Sequence, residues 1–222
     1  MNNKNFALGL LVVETIFLVG FLIFSRINYK NRFKEKYDLR NHFPYELNFE
    51  GRYSDNLFGN ICGTIMGVCA VLFYVFFEPN FGDGYYLFTR IAGILYSISI
   101  SFMIFVPMKV LKTHLLYTVI VIVFSFLSSF SIALNAMNVF NRTHNGVLLI
   151  PLIMAVVICL FVMALIINPK INKWAKLEEV IEPDGTKTYK RPKWFVLAFT
   201  EWCLILLSIL IQAVVLINKF IY

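Results

Sequence analysis

Charge is scarce in this chain. Asp, Glu, Lys and Arg make up 15% of its 222 residues, whereas soluble domains carry about 25%. So few charges cannot cover the surface of a soluble domain of this length. Histidine is scarcer still: His42, His114 and His144 are the full set of three. They are scattered, and no His/Asp cluster has metal-ligand spacing, so neither a metal nor a cofactor is expected. Four cysteines, Cys62, Cys69, Cys159 and Cys203, all fall inside apolar runs and form no CxxC pair. They read as small buried hydrophobes and say nothing about redox compartment. A phosphate-binding GxxxxGK[ST] loop, HExxH and GxSxG are also missing, which removes the common nucleotide, zinc-protease and serine-hydrolase signatures.

Apolar residues fill the space that charge leaves. They reach 59%, with mean hydropathy +0.73, against about 45–50% in soluble domains. They cluster in runs near the ~20 residues that span a bilayer. The composition predicts an all-α, multi-pass membrane protein with a single domain of six transmembrane helices. The spans fall at about 6–24, 57–77, 87–106, 115–137, 147–167 and 195–217. Span one, with a weak basic start and no small-x-small cleavage site, reads as a retained anchor rather than a leader. In the last large loop, Pro183-Asp184-Gly185 separates two short β-prone runs, which predicts a small hairpin.

The net charge of +7 raises the question of nucleic acid. The distribution of the cations answers it. Sixteen of the twenty Lys and Arg lie in the loops 25–54, 107–114 and 168–194, beside apolar runs. That is positive-inside asymmetry rather than a nucleic-acid stripe. It predicts a cell-membrane protein with these loops in the cytoplasm and both termini outside. The expected partners are membrane lipids and, at the basic loops, a soluble protein.

Gly59, Gly63 and Gly67 recur at four-residue spacing on span two, and Gly93, Ser97 and Ser101 on span three. Such stripes let helix backbones approach closely. The two are expected to form one packing seam, with span two as the helix around which the rest assembles. Asp55 and Asn56 should cap span two, satisfying free backbone donors. Phe43, Tyr45, Leu47, Phe49 and Tyr53, around the helix-breaking Pro44, either sit among headgroups or plug the mouth of the bundle. Trp194 reads as an interface anchor and Trp202 as a packing residue. Asn141-Arg142-Thr143 matches a glycosylation triplet on the predicted outer side.

Ionisable groups inside spans need a partner or a purpose, because each costs at least ~2.5–3.5 kcal/mol on insertion scales. Glu14 lies roughly 12 Å from the outer end of span one, and Arg90 enters span three from that side, long enough to snorkel outward or reach Glu14. Glu201 lies roughly 10 Å into span six from the other side, where His114 begins span four. A Glu201–His114 contact would bear a proton near neutral pH. Glu14, Arg90, His114 and Glu201 are therefore the candidate polar site.

Spans two to four carry a further pattern. Asp55-Asn56 is followed by Gly59 and Gly63, and a proline loop from Pro107 leads to His114 at the head of span four. This resembles bacterial six-span membrane proteins of unknown function, grouped with the damage-regulated autophagy modulators and GPI-remodelling factors. The resemblance implies a six-helix bundle and involvement with lipid, and supplies no catalytic residues. The eukaryotic members are generally drawn with both termini cytoplasmic, opposite to the charge count here. Two functions remain open. The first is a non-enzymatic protein: a small-molecule or lipid transporter, or a membrane subunit of a larger complex. The second is a lipid-modifying enzyme using Glu201 and His114. A cytoplasm-facing cavity lined by both residues would favour the enzyme or a proton-coupled role for the pair, and a Glu201 that faces lipid or is sealed by packing would count against both.

Overall fold

A computed structural model describes residues 3–48, 53–77, 84–106, 111–167, 178–181, 183, 186–190 and 193–221. Six helices dominate: α1 (Asn3–Phe33), α2 (Leu57–Phe76), α3 (Gly84–Phe105), α4 (Leu111–Thr143), α5 (Leu149–Ile167) and α6 (Val196–Ile221). Each is long and apolar enough to cross a membrane. Two short strands, β1 (Glu178–Ile181) and β2 (Lys187–Lys190), pair antiparallel, with Glu178 opposite Lys190 and Ile181 opposite Lys187. They flank the expected turn, of which Asp184 and Gly185 lie outside the described residues.

Several helices outrun the apolar runs that announce them. α1 continues through the basic residues to Phe33, so the stretch after residue 24 is not all loop. α4 begins at Leu111 and ends at Thr143, taking in His114 and the glycosylation triplet. Both helices stop in the same way. Lys34 and His144 adopt left-handed backbone (φ 58° and 51°), and their N–H groups return to Lys30 O (3.0 Å) and Phe140 O (2.7 Å). Such a residue closes the last turn and turns the chain away; glycine usually holds the position. Polar residues survive inside α4 by bonding to their own helix. Thr118 Oγ1 donates to His114 O, Ser125 Oγ to Ile122 O and Ser129 Oγ to Ser125 O.

The two faces of the bundle differ. At one, called here the loop face, α1 ends and α2, α4 and α6 begin; residues 34–48 and 53–56 fold across it. At the far face Phe6 meets Phe76 edge-on and Lys4 lies over the Phe220 ring. α4 and α6 run parallel. His114 meets Glu201 near their starts, and Asn218 Nδ2 donates to Asn135 Oδ1 at 2.7 Å toward their ends.

α6 touches more of the other helices than α2 does, although the two are similarly buried: the most apolar window is 61% buried in α6 and 56% in α2, against 28% in α1 and 22% in α5. α6 packs on α1, α3, α4 and α5, whereas α2 leans chiefly on α1 and α3. The glycine stripe is divided accordingly. A Cβ at Gly59 would lie 2.2 Å from Ser25 Oγ of α1, and one at Gly63 would lie between the Phe21 ring of α1 (3.2 Å) and the Phe105 ring of α3 (3.4 Å). Gly67 faces α3, where its Cβ would lie 2.4 Å from Ser101 Oγ. Ser97 Oγ donates to Ala70 O, and Gly93 accommodates the Tyr74 ring, which a Cβ would meet at 2.2 Å. The glycine stripe is therefore shared: Gly67 packs on α3 as expected, Gly59 packs on α1, and Gly63 lies between them. On the α3 side, Gly63, Gly67, Val71, Ile98, Ser101 and Phe105 help to line an apolar outer groove of about 330 Å³.

Candidate functional site

The polar core begins at the loop face. His114, in the first turns of α4, points into the bundle and meets Glu201 from the first turns of α6. His114 Nε2 lies 2.8 Å from Glu201 Oε1, and both side chains are wholly buried. Thr118, one turn along α4, donates to the same carboxylate oxygen at 3.1 Å. The other imidazole nitrogen, Nδ1, lies 2.8 Å from Val106 O. A backbone carbonyl can only accept, so Nδ1 carries a proton, and Nε2 is the nitrogen that exchanges one with Glu201. Glu201 Oε2 has no hydrogen-bond partner among the described residues.

The lid over this pair comes from residues 34–48, which plug the bundle. Pro44 opens a 3-10 turn, Pro44–Asn48, and Phe43 N donates to Glu46 Oε2 at 2.8 Å, tying the start of the turn. Phe43, Tyr45 and Leu47 are all buried. The Phe43 and Tyr45 rings stand edge-on to the His114 imidazole, at 6.1 and 5.3 Å between centroids. Phe49 and the side chain of Tyr53 lie outside the described residues.

Trp202, beside Glu201 in sequence, locks the lid down. Its Nε1 donates to Tyr37 Oη (3.1 Å) and His42 O (3.0 Å), and Tyr37 Oη in turn donates to Phe43 O at 2.7 Å. Burial pushes the Tyr37 phenol well above its ordinary pKa, partly opposed by the Trp202 N–H. Phe195 N donates to Arg40 O at 2.8 Å, fastening the lid to the start of α6. On the exposed side of the lid, Asp38 accepts hydrogen bonds from the Arg40 side chain and backbone, which pull its carboxyl down to about 2. Trp202 is thus a hydrogen-bonding anchor as well as a packing residue. Trp194 is 56% exposed.

Asn56 does not cap α2 with its side chain. The amide instead joins three elements. Nδ2 donates to Ser25 Oγ (2.8 Å) and Leu47 O (2.9 Å), and Oδ1 accepts from Asn28 Nδ2 (2.9 Å). Three polar groups, two of them buried, outbid one backbone donor that water can satisfy at the helix end. Asp55 pairs with Arg32 at 3.1 Å.

Deeper in the bundle lies a second polar cluster. Glu14 of α1 is buried against Gln212 of α6, with Tyr74, Tyr96 and Cys69 around it. Gln212 is adjacent, yet neither of its amide atoms completes a hydrogen bond of normal geometry, and nor do Glu14 Oε2 and Tyr74 Oη. Arg90 does not reach Glu14. Its guanidinium donates to Val75 O, one of the last carbonyls of α2, where a cation suits the helix end. The four candidate residues therefore separate: His114 and Glu201 form one site, Glu14 a second, and Arg90 a helix cap.

Between these sites runs a polar stripe that single residues do not advertise. On α4 it comprises His114, Thr118, Ser125, Ser129 and Asn135, all buried. Spacings of four, seven, four and six residues keep them on one side of a 3.6-residue helix. On α6, Glu201, Ser208, Gln212 and Lys219 are buried at spacings of seven, four and seven. The α4 stripe meets α6 at His114–Glu201 and again at Asn135–Asn218, where Asn218 stands beside the α6 stripe rather than on it. At ~1.5 Å per residue, the α4 stripe covers roughly 30 Å, the thickness of a bilayer's hydrocarbon core. Among the described residues, no group of three His, Cys, Asp or Glu could hold a metal ion. Comparison with protein-family models, with curated proteins and with solved structures returns no match.

Proposed function

We propose that this is a non-enzymatic, multi-pass membrane protein of transporter type that moves protons along the α4–α6 interface, alone or coupled to a solute. One observation carries the reading: buried polar side chains on two parallel helices extend from His114–Glu201 to Asn135–Asn218. Holding hydroxyls, amides and a carboxyl in hydrocarbon is costly and usually marks an ion or proton path. Imidazole and carboxyl at 2.8 Å are a pair that can take up and pass on a proton near neutral pH. In the proposed orientation the loop face is cytoplasmic and both termini are outside, because sixteen of the twenty Lys and Arg lie in the segments 25–54, 107–114 and 168–194, after the first, third and fifth spans. The lid of residues 34–48 is then an inner gate, and the lipid-exposed faces of α1 and α5 are the outer wall.

The lipid-modifying alternative uses the same acid–base pair. The zero exposure of both side chains under the Phe43–Tyr45 lid weighs against both readings, and more heavily against the enzyme, because a headgroup needs far more room than a proton. A substrate headgroup would have to displace that lid. The transport reading is tested by reconstituting the chain into vesicles that hold a pH-sensitive dye. An imposed proton gradient should collapse faster than in protein-free vesicles. Equal rates would end the proposal.

A further inference from the structure

We propose that Glu14, Gln212 and Tyr74 form a binding site for a monovalent metal cation in the middle of the bundle. The three side chains come from three helices, α1, α6 and α2, and their exposures are 1%, 0% and 0%. Four of their polar atoms, Glu14 Oε2, Gln212 Oε1 and Nε2, and Tyr74 Oη, lack a hydrogen-bond partner. Buried polar groups nearly always find one. Here the Glu14 carboxyl adjoins the Gln212 amide and the Tyr74 phenol lies within electrostatic reach of it, yet none of these four atoms completes a hydrogen bond of normal geometry.

The chemistry of the donors selects the ligand. Carboxylate, amide carbonyl and phenol oxygens are hard donors, suited to alkali and alkaline-earth ions and not to the softer transition metals. Only one of them carries a formal charge. A divalent ion would be left under-neutralised in a low-dielectric interior, whereas a single positive charge balances Glu14. No protein cation takes that role: Arg90 is committed to Val75 O, and Lys219 lies over the Phe77 ring at 4.9 Å. Among the described residues no ion pair reaches Glu14. Tyr74 is held in place by the close fit of its ring against Gly93, so its hydroxyl is a fixed donor rather than a wandering one.

Gln212 also lies on the α6 stripe, but the site's own observations do not involve the His114–Glu201 pair, so ion binding is tested separately from proton transport. The test measures binding alone. The purified protein in mild detergent is melted in choline chloride while NaCl, KCl or LiCl replaces it at constant ionic strength. The wild type should gain a saturable rise of several degrees in Tm with one of these ions. Glu14→Gln, a neutral isostere, should fold and lose the response. Tyr74→Phe should shift the half-saturating concentration about tenfold upward. If Glu14→Gln does not purify as a monodisperse protein, Gln212→Met supplies the same comparison with equilibrium binding of radioactive sodium. A wild-type Tm indifferent to all three ions would overturn the proposal, even if the Tm depends on pH, since Glu14 would then carry only a proton. A Glu14→Gln variant that responds like the wild type would overturn it equally.

Discussion

His114 and Glu201 stand 87 positions apart in sequence and 2.8 Å apart in space, with no exposed surface on either side chain. The contact joins the starts of α4 and α6, and the lid, the polar stripe and the lock at Trp202 are arranged around it. Removing either partner leaves the other buried without its main bond, at a cost of about 3–5 kcal/mol. Glu201→Ala and His114→Ala should each lower stability by that order, and the double variant by much less than their sum. Chemical unfolding in detergent measures the cycle. Additive losses would show that the pair does not interact.

Glycine positions should rank by what stands opposite. Gly93→Ala drives a methyl group into the buried Tyr74 ring, which cannot swing away, and overpacking of this kind costs typically 1–3 kcal/mol. Gly67→Ala meets a serine hydroxyl that can rotate, and Gly63→Ala sits 3.2 Å from Phe21, so both should cost less. A larger residue, as in Gly63→Leu, would still push α1 off α2. Thermal melting of the series would contradict the packing if Gly93→Ala proved the mildest.

Lys34 ends α1 in left-handed backbone, which costs a side-chain-bearing residue roughly 1 kcal/mol relative to glycine. Lys34→Gly should therefore stabilise the chain by up to about that amount, despite losing a charge. A clear loss of stability would mean that the Lys34 side chain makes a contact that matters more.

The Asp38–Arg40 bond lies at the exposed edge of the lid, so screening keeps its effect small. Its sign is nonetheless defined. Asp38 is held at about 2 against an ordinary value of 3.8, so its contribution is present above the higher value and is lost as pH falls through the lower. Asp38→Asn should make the lid easier to cleave by protease at neutral pH. The difference from wild type should vanish near pH 2, read with an acid-stable protease. A difference that grew on acidification would reverse the assignment.

The sequence made the helices legible and hid the depth of their contacts. Six apolar runs were readable because hydrocarbon demands length and composition, and both are one-dimensional properties. The paired strands of the last large loop were readable because turn chemistry is local. The His114–Glu201 pairing could be inferred because each residue starts a span on the same face and few ionisable groups compete. The reach of Arg90 could not. Val75 O is a backbone atom, invisible in a list of side chains, and it captured the guanidinium before Glu14 could. Asn56 was misleading for a similar reason: a helix-start position invites a cap, but Ser25, Asn28 and Leu47 O are partners from elsewhere in the fold. The wider contacts of α6 were also concealed, because burial depends on neighbours and α5, which is more apolar, ended at the edge.

The central claim is that the α4–α6 stripe carries protons through the bundle, and vesicle flux tests it most directly. Wild type, Glu201→Gln and Ser129→Val are reconstituted at equal density, and acidification of the trapped dye is followed after a pH jump. Glu201→Gln keeps the size of the side chain but cannot exchange the proton, so the rate should fall at least tenfold. Ser129→Val, midway along the stripe, should slow it severalfold while leaving the His114–Glu201 contact intact. Proton entry at the wild-type rate in both variants would contradict the account.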